Sequence, residues 1–458
     1  MVNIVNRTNH SLHDIPSELE EFLKNDTYSL LVKGLSGTGK TTFSLSILRS
    51  LKAKNNFFYI STRSSPKQMF EHYPWLRKFI KEPNKDIDSP DVGQNLSAFE
   101  DARLDEPESL FERVTNQLMD VKNPVIIIDS WDSVASLMDR EARLNNERVL
   151  QTWRERAKAK LIFTSEESVE SSLEYIVDGV VELNYELIDG IRIRSLFLKK
   201  LRGIPIKRSV YFFTLKDRIL RCFDGYDPRD FRINKGDKIL KETDYSTHLL
   251  QTGYPDLDNY IGGTLPQRGL ITIEKKDTIS NDIIVLFLND LFYNFSRRRY
   301  SLLLDSGLKD VSTDMHKSKN QNYKLHVMDE LRSPESSAAQ DRIKRKNDFY
   351  KYVDKAVSGL ENMGKIVAMV ESKSLDNFIS DTSDINDCCK FIKSKFELSF
   401  LILNSNNNLE RYYSLSDIHL KFILICGTLF LKCSTPASAV FGIKVVNSVP
   451  QIQLDHVL

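Results

Sequence analysis

Eight residues constrain this chain more than any others. Gly34-Leu35-Ser36-Gly37-Thr38-Gly39-Lys40-Thr41 fits the phosphate-loop pattern GxxxxGK[ST], which has chemical meaning only between a strand and a helix. That context is present. The apolar run Ser29 to Val32 precedes the loop, and Phe43, Ile47, Leu48 and Leu51 follow at helical spacing. Glycines in such a loop let successive backbone N–H groups converge on phosphates, and the helix start adds a partial positive charge. Gly34, Ser36, Gly37, Thr38, Gly39, Lys40, Thr41 and Thr42 are therefore the expected nucleotide contacts. Lys40 would reach the β- and γ-phosphates, and the Thr41 hydroxyl would ligate Mg²⁺. ATP and Mg²⁺ are the expected cofactors. The competing reading, a glycine-rich turn that binds nothing, sits poorly with the strand before it and the helix after.

A second carboxylate-bearing strand should hold the metal from the other side. Val125 to Ile128 is continuously apolar and ends in Asp129, a position from which a carboxylate orients Mg²⁺ and its waters. Thr164 and Ser165 end the apolar run Lys160 to Phe163 and are placed to meet a γ-phosphate or an attacking water. Phe57 to Ile60 completes a set of buried strands alternating with amphipathic stretches, the pattern of a parallel sheet covered on both faces. The second half repeats it with Leu270 to Glu274, Ser301 to Leu304, Ile366 to Val370 and Phe400 to Leu403.

At 458 residues the chain is long enough for two or three domains. Asp224 to Thr243 is polar, with Gly225, Pro228 and Gly236, and reads as the break. The expected organisation is 1–225 as a nucleotide-binding domain, 226–243 as linker and 244–458 as a second domain. Lys plus Arg total 64 against 63 Asp plus Glu, a net charge of +1, which does not favour a nucleic-acid partner. The basic runs Arg297 to Arg299 and Arg342 to Lys346 are more often solvated helix faces than contacts. Met1 to Asp14 lacks the apolar core of a signal peptide. Phe422 to Leu431 is too short to span a membrane and suits one or two buried strands. Five cysteines with no CxxC pair fit a reducing compartment, the cytoplasm.

The chain resembles the RecA superfamily of ATPases, in its KaiC-like and RadA-like archaeal branch, and most closely the GvpD P-loop family of gas-vesicle regulators. The resemblance is carried by the phosphate loop, Ile128-Asp129-Ser130, Thr164-Ser165-Glu166, Leu173 to Val180 and Leu198-Lys199-Lys200-Leu201-Arg202-Gly203. It implies an α/β fold of two RecA-like parallel-sheet domains in tandem. It also implies that Lys200 and Arg202 reach a neighbouring subunit's γ-phosphate, a catalytic role in trans that stands beside the plainer reading of a solvated basic strand edge. Where KaiC-like enzymes carry paired glutamates, one of which activates water, this chain has Arg63 and Ser64. Losing a general base costs roughly 10²–10⁴-fold, so hydrolysis should be slow unless another carboxylate, Asp132 being the nearest candidate, substitutes. Thr252 to Asp258 and Gly262-Gly263 resemble the opening of a second such domain. There the strand Leu270 to Glu274 runs into Lys275-Lys276-Asp277-Thr278-Ile279-Ser280-Asn281-Asp282, without the glycines or the Lys-Thr pair. The second domain is expected to be degenerate, with Glu371 marking its former metal strand. The leading expectation is an ATP-binding regulator whose nucleotide state controls association with a protein partner or with further copies of itself. A DNA-dependent recombination-type ATPase and a phosphotransferase are the alternatives.

Overall fold

The apolar runs become strands, and most reach one or two residues beyond their apolar part, because the backbone ladder continues whether or not the next side chain is polar. In the first half these are β1 (Tyr28–Lys33), β2 (Phe57–Ser61), β3 (Ala98–Asp101), β4 (Val125–Asp129), β5 (Lys160–Ser165), β6 (Gly179–Ile188), β7 (Ile191–Leu201), β8 (Val210–Thr214) and β9 (Arg221–Cys222). The second half supplies β10 (Ile239–Leu240), β11 (Gly269–Lys275), β12 (Ser301–Leu304), β13 (Leu325–Val327), β14 (Ile366–Glu371), β15 (Leu398–Leu403), β16 (Ile418–Ile425), β17 (Thr428–Thr435), β18 (Ala439–Val445), β19 (Ser448–Val449) and β20 (Ile452–His456). The apolar run Phe422 to Leu431 is divided between β16 and β17.

This computed structural model describes residues 15–52, 56–79, 98–103, 106–107, 109–112, 123–166, 172–188, 190–228, 239–240, 250–298, 300–305, 308, 325–327, 341–358, 360, 365–376, 382–403, 409–446, 448–449 and 452–457. Contacts group the chain up to Ile188 with Arg192–Phe223 in one unit, and Asp224–His456 in another. Most of the stretch read as a linker, 226–243, lies outside the described residues. Its Ile239–Leu240 form β10, which pairs in parallel with β19.

The two units carry one topology. In the first the sheet order is β3-β2-β4-β5-β1-β6-β7-β8-β9, and in the second β13-β12-β14-β15-β11-β16-β17-β18-β20. The pairs among β3, β2, β4, β5, β1 and β6 are parallel, and β7, β8 and β9 add antiparallel neighbours. The second sheet repeats this division. Both faces of each sheet are packed, as a period-two chain requires. Leu30 and Val32 of β1 enter one core and Leu31 the other. In β11, Ile271 and Ile273 face one way and Leu270 the other. Burying each such side chain contributes about 1.5–3 kcal/mol, so the central strand is held from both sides and its carboxyl end becomes a fixed platform.

Register makes the two units comparable residue by residue. Tyr28 pairs with Lys160 at the start of β5, and Gly269 with Leu398 at the start of β15. Lys33 and Glu274 are therefore equivalent, and each is followed by six residues before a helix, Lys40–Ser50 or Asn281–Arg297. The buried start of each central strand is capped alike. The Asp178 carboxylate accepts from the Ser29 backbone N–H at 2.9 Å, and that of Asp417 from the Leu270 N–H at 2.7 Å. Opposite Lys33 across the ladder stands Glu182, and opposite Glu274 stands Lys421. Lys33 is ion-paired with Glu174 at 2.5 Å, and Glu274 with Lys421 at 2.6 Å. The same position thus carries opposite charge in the two units.

Among the described residues no helix is long and apolar enough to cross a membrane. None of the cysteines at 222, 388, 389, 426 and 433 forms a disulfide. The basic runs are engaged locally: Arg297 lies over the Tyr293 ring, Arg298 donates to the Gln251 side chain, and Lys346 pairs with Asp387. Arg299 and the Arg342 side chain lie outside the described residues.

Candidate functional site

The loop leaves the carboxyl end of β1 through three glycines with positive φ: Gly34 at 152°, Gly37 at 80° and Gly39 at 106°. At Gly34 the need for glycine is steric as well as torsional. A Cβ there would lie 2.4 Å from the Leu183 carbonyl oxygen and 2.7 Å from Thr38 Oγ1. The Gly34 N–H donates to the Ser165 carbonyl at 3.1 Å, tying the loop to β5. Thr38 Oγ1 donates to the Leu35 carbonyl and closes the turn. Gly39, in the left-handed region, then caps the helix Lys40–Ser50, whose first N–H groups have no intrahelical acceptor and point out of its start.

Lys40 is folded over the loop. Its Nζ donates to the carbonyls of Gly34 at 2.7 Å and Leu35 at 3.0 Å, and lies 3.3 Å from Glu166 Oε1. The side chain is 7% exposed. Burial lowers its pKa, and the Glu166 carboxylate opposes that shift. Thr41 turns the other way, its hydroxyl donating to Asp129 Oδ2 at 2.7 Å. The carboxylate that ends β4 and the hydroxyl of the phosphate loop are thus in direct contact. Thr42 meets the Tyr73 hydroxyl at 3.1 Å, and Ser36 lies exposed on the loop.

Asp129 is also the acceptor for two hydroxyls besides that of Thr41. Tyr59 donates to Oδ2 at 2.6 Å and Thr164 to Oδ1 at 2.6 Å. The Tyr59 hydroxyl is deeply buried and sits beside the Asp129 charge, and both raise its pKa well above normal. Thr164 therefore supports Asp129. Ser165 donates to Asp132 Oδ1 at 2.8 Å, and the Glu166 N–H binds the other oxygen of the same carboxylate. Both Asp132 oxygens are thereby committed to the end of β5. Glu166, which had no assigned role, is the carboxylate that reaches the loop lysine. The same Oε1 accepts from Arg63 Nη1 at 2.7 Å. The Arg63 bond holds its pKa below the ordinary value, with burial opposing and Lys40 adding. Arg63 is half exposed, and Ser64 bonds through its N–H to Ser61 Oγ at 3.0 Å.

Lys200 and Arg202 lie elsewhere. Lys200 Nζ donates to the carbonyls of Val177 at 2.6 Å and Glu174 at 3.2 Å, and Arg202 Nη1 bonds Asp178 Oδ1 at 2.8 Å. Asp178 caps the start of β1 at Ser29, whereas the phosphate loop follows its end at Gly34, about 16 Å away over five residue steps. The pair therefore does not join the loop of its own chain. Arg202 remains largely exposed, and burial lowers the Lys200 pKa.

In the second unit, register sets Lys275, Thr278, Ser280, Asn281 and Asp282 where the first has Gly34, Gly37, Gly39, Lys40 and Thr41. Ser280 caps its helix through a bond from the Asp282 N–H at 3.2 Å, and Lys275 Nζ donates to the Ile279 carbonyl at 3.1 Å. Counting along the β14–β15 ladder makes Glu371 the equivalent of Asp129, with Leu304 and Ile402 in place of Tyr59 and Thr164. The hydroxyls around Asp129 have no counterparts there. Burial, with Asp305 adding to it, raises the Glu371 pKa.

Residues 19–199 match the family described as GvpD gas vesicle protein, P-loop domain. GvpD2 of Halobacterium salinarum is 26% identical over 301 residues, covering 61% of this chain and 58% of that protein. GvpD1 of the same organism is 27% identical over 289 residues, covering 58% of this chain and 51% of its own length. The circadian clock oscillator protein KaiC of Prochlorococcus marinus is 25% identical over 296 residues, covering 59% and 54%. The match thus spans little more than half of each of these relatives. All are RecA-superfamily-like P-loop proteins, and the two sheets described above are the α/β architecture of tandem RecA-like domains. Over residues 19–199 the chain is similar to the GvpD gas vesicle protein P-loop domain, one of the RecA-superfamily-like P-loop proteins.

Proposed function

We propose that this protein is an ATP-binding regulator whose nucleotide state controls its association with a protein partner or with further copies of itself in the cytoplasm. The observation that carries the reading is the pairing of Thr41 with Asp129 at 2.7 Å beside the lysine folded on its loop. A hydroxyl and a carboxylate in contact at the start of a helix form the donor set for a Mg²⁺ that arrives with phosphates. Gly34, Ser36, Gly37, Thr38, Gly39, Lys40, Thr41 and Thr42 would hold the nucleotide, with Thr41 and Asp129 serving the metal. Mg²⁺ would supply charge neutralisation between the β- and γ-phosphates.

Hydrolysis is slow in this reading, because Arg63 and Ser64 stand at the usual base position and Asp132 is bound by Ser165 and Glu166. Slow turnover suits a switch better than a motor. Lys200 and Arg202, remote from their own loop, would act on a neighbouring copy. The second unit, with Asn281 and Asp282 at the lysine and threonine positions, would bind no nucleotide.

Titration of the full chain with Mg²⁺ and a non-hydrolysable ATP analogue in a calorimeter tests this. Lys40→Ala should weaken binding by about 100-fold or more, while Asn281→Ala should leave it unchanged. Equal binding by wild type and Lys40→Ala overturns the proposal. Hydrolysis strongly stimulated by DNA would instead favour the recombination-type reading.

A further inference from the structure

The residue between the two cations of the first site is a carboxylate. Glu166 Oε1 lies 2.7 Å from Arg63 Nη1 and 3.3 Å from Lys40 Nζ. One oxygen thus neutralises both the loop lysine and the arginine that occupies the usual base position. The backbone of Glu166 is anchored by Asp132, through bonds from the Ser165 hydroxyl and the Glu166 N–H, so the carboxylate is delivered to this place by the end of β5. Glu166 and Arg63 are both partly open to solvent, whereas Lys40 is not. The order outward from the loop is lysine, carboxylate, arginine.

We infer that Glu166 stands in for the terminal phosphate of a nucleotide, and that a triphosphate takes over both cations, making Arg63 the residue that distinguishes a nucleoside triphosphate from a diphosphate. The inference rests on the nucleotide-binding reading above. Lys40 in a phosphate loop serves the β- and γ-phosphates, so any nucleotide competes with Glu166 for it. Only a γ-phosphate, with three acceptor oxygens, extends past the lysine to the guanidinium beyond. Arginine matches such an anion with a planar fork of donors. The missing glutamate pair then has a physical correlate: its place is taken by a cation that recognises the triphosphate. The ion pair with Glu166 satisfies that cation when no γ-phosphate is present, and displacement of the carboxylate from Arg63, rather than from Lys40, reports that a triphosphate has arrived.

The test compares ADP with a non-hydrolysable ATP analogue, both with Mg²⁺, on the full chain by calorimetry. Arg63→Ala should weaken the ATP analogue about tenfold or more and ADP less than about twofold. Arg63→Lys should recover part of the difference. Glu166→Gln, which keeps the shape but removes the competing charge, should tighten the ATP analogue severalfold and ADP by less. Thermal melts of each variant without nucleotide check that folding is intact, as expected for a half-exposed arginine. Arg63→Ala that weakens both nucleotides alike, or Glu166→Gln that weakens the ATP analogue, overturns this inference and leaves nucleotide binding standing. If the wild type binds neither nucleotide, the underlying reading falls and this one with it.

Discussion

The two halves of this chain share a strand order, a register and a loop length, yet the residues at the carboxyl ends of their central strands differ in chemistry. What they keep in common lies in the ladder and at its buried start, where Asp178 and Asp417 cap equivalent strands. What they do not share lies at the carboxyl ends of the central strands. There Gly34, Lys40, Thr41, Tyr59, Asp129 and Thr164 correspond in register to Lys275, Asn281, Asp282, Leu304, Glu371 and Ile402. A sheet packed on both faces does not need the chemistry at its rim, so fold and site are separable. The second unit fills its helix Asn281–Arg297 with Ile283, Phe287, Leu288, Leu291, Phe292 and Phe295.

The largest effect expected from this comparison is at Gly34. Its added Cβ would strike the Leu183 carbonyl, a backbone atom that cannot swing aside. Gly34→Ala should therefore cost about 3 kcal/mol in denaturant unfolding. Lys275→Ala, at the same place in the other loop, should cost under about 1 kcal/mol. Equal costs would mean that the two loops are held by the same constraint.

A smaller effect separates the two central strands by pH. Burial alone would raise the Glu274 carboxyl, but hydrogen bonds from His419, Lys421 and Tyr413 hold it down at about 2 against an ordinary 4.5. A depressed carboxylate contributes stability that is fully present above its unfolded pKa and is lost as pH falls toward the folded one. Between pH 5 and pH 3 this residue should therefore lose about 2 kcal/mol of stabilisation. In Glu274→Gln the difference from wild type should shrink by that amount over the same interval. A constant difference would assign the shift to other groups.

Least affected should be Arg202→Ala. The guanidinium is largely exposed on Asp178, and an exposed ion pair is worth under about 1 kcal/mol. Its loss should leave the unfolding midpoint nearly unchanged, so any change in ATP turnover at high protein concentration would speak for the role in trans.

Much of this arrangement was legible in the sequence, and the boundary has a physical basis. The phosphate loop, the helix after it and Asp129 were readable because each is a local pattern whose residues act within one turn or one strand. Lys200 and Arg202 were readable as a motif, but not as a pair at the far end of the sheet, since that depends on strand order. Tyr59 gave no signal, because inside Phe57-Phe58-Tyr59-Ile60 an aromatic reads as core, and only the fold aims its hydroxyl at Asp129. Glu166 was visible as a residue but not as a bridge. Its partners lie 126 and 103 residues away in sequence, and no spacing rule connects them.

The opposite charges on the two central strands have a consequence for how twin halves on one chain avoid each other's places. A copy of β1 inserted beside β16 would confront Lys33 with Lys421, and β11 beside β6 would confront Glu274 with Glu182. Like charges set directly opposite each other across a ladder are destabilising. Each sheet therefore disfavours the other's middle strand by polarity at this one rung.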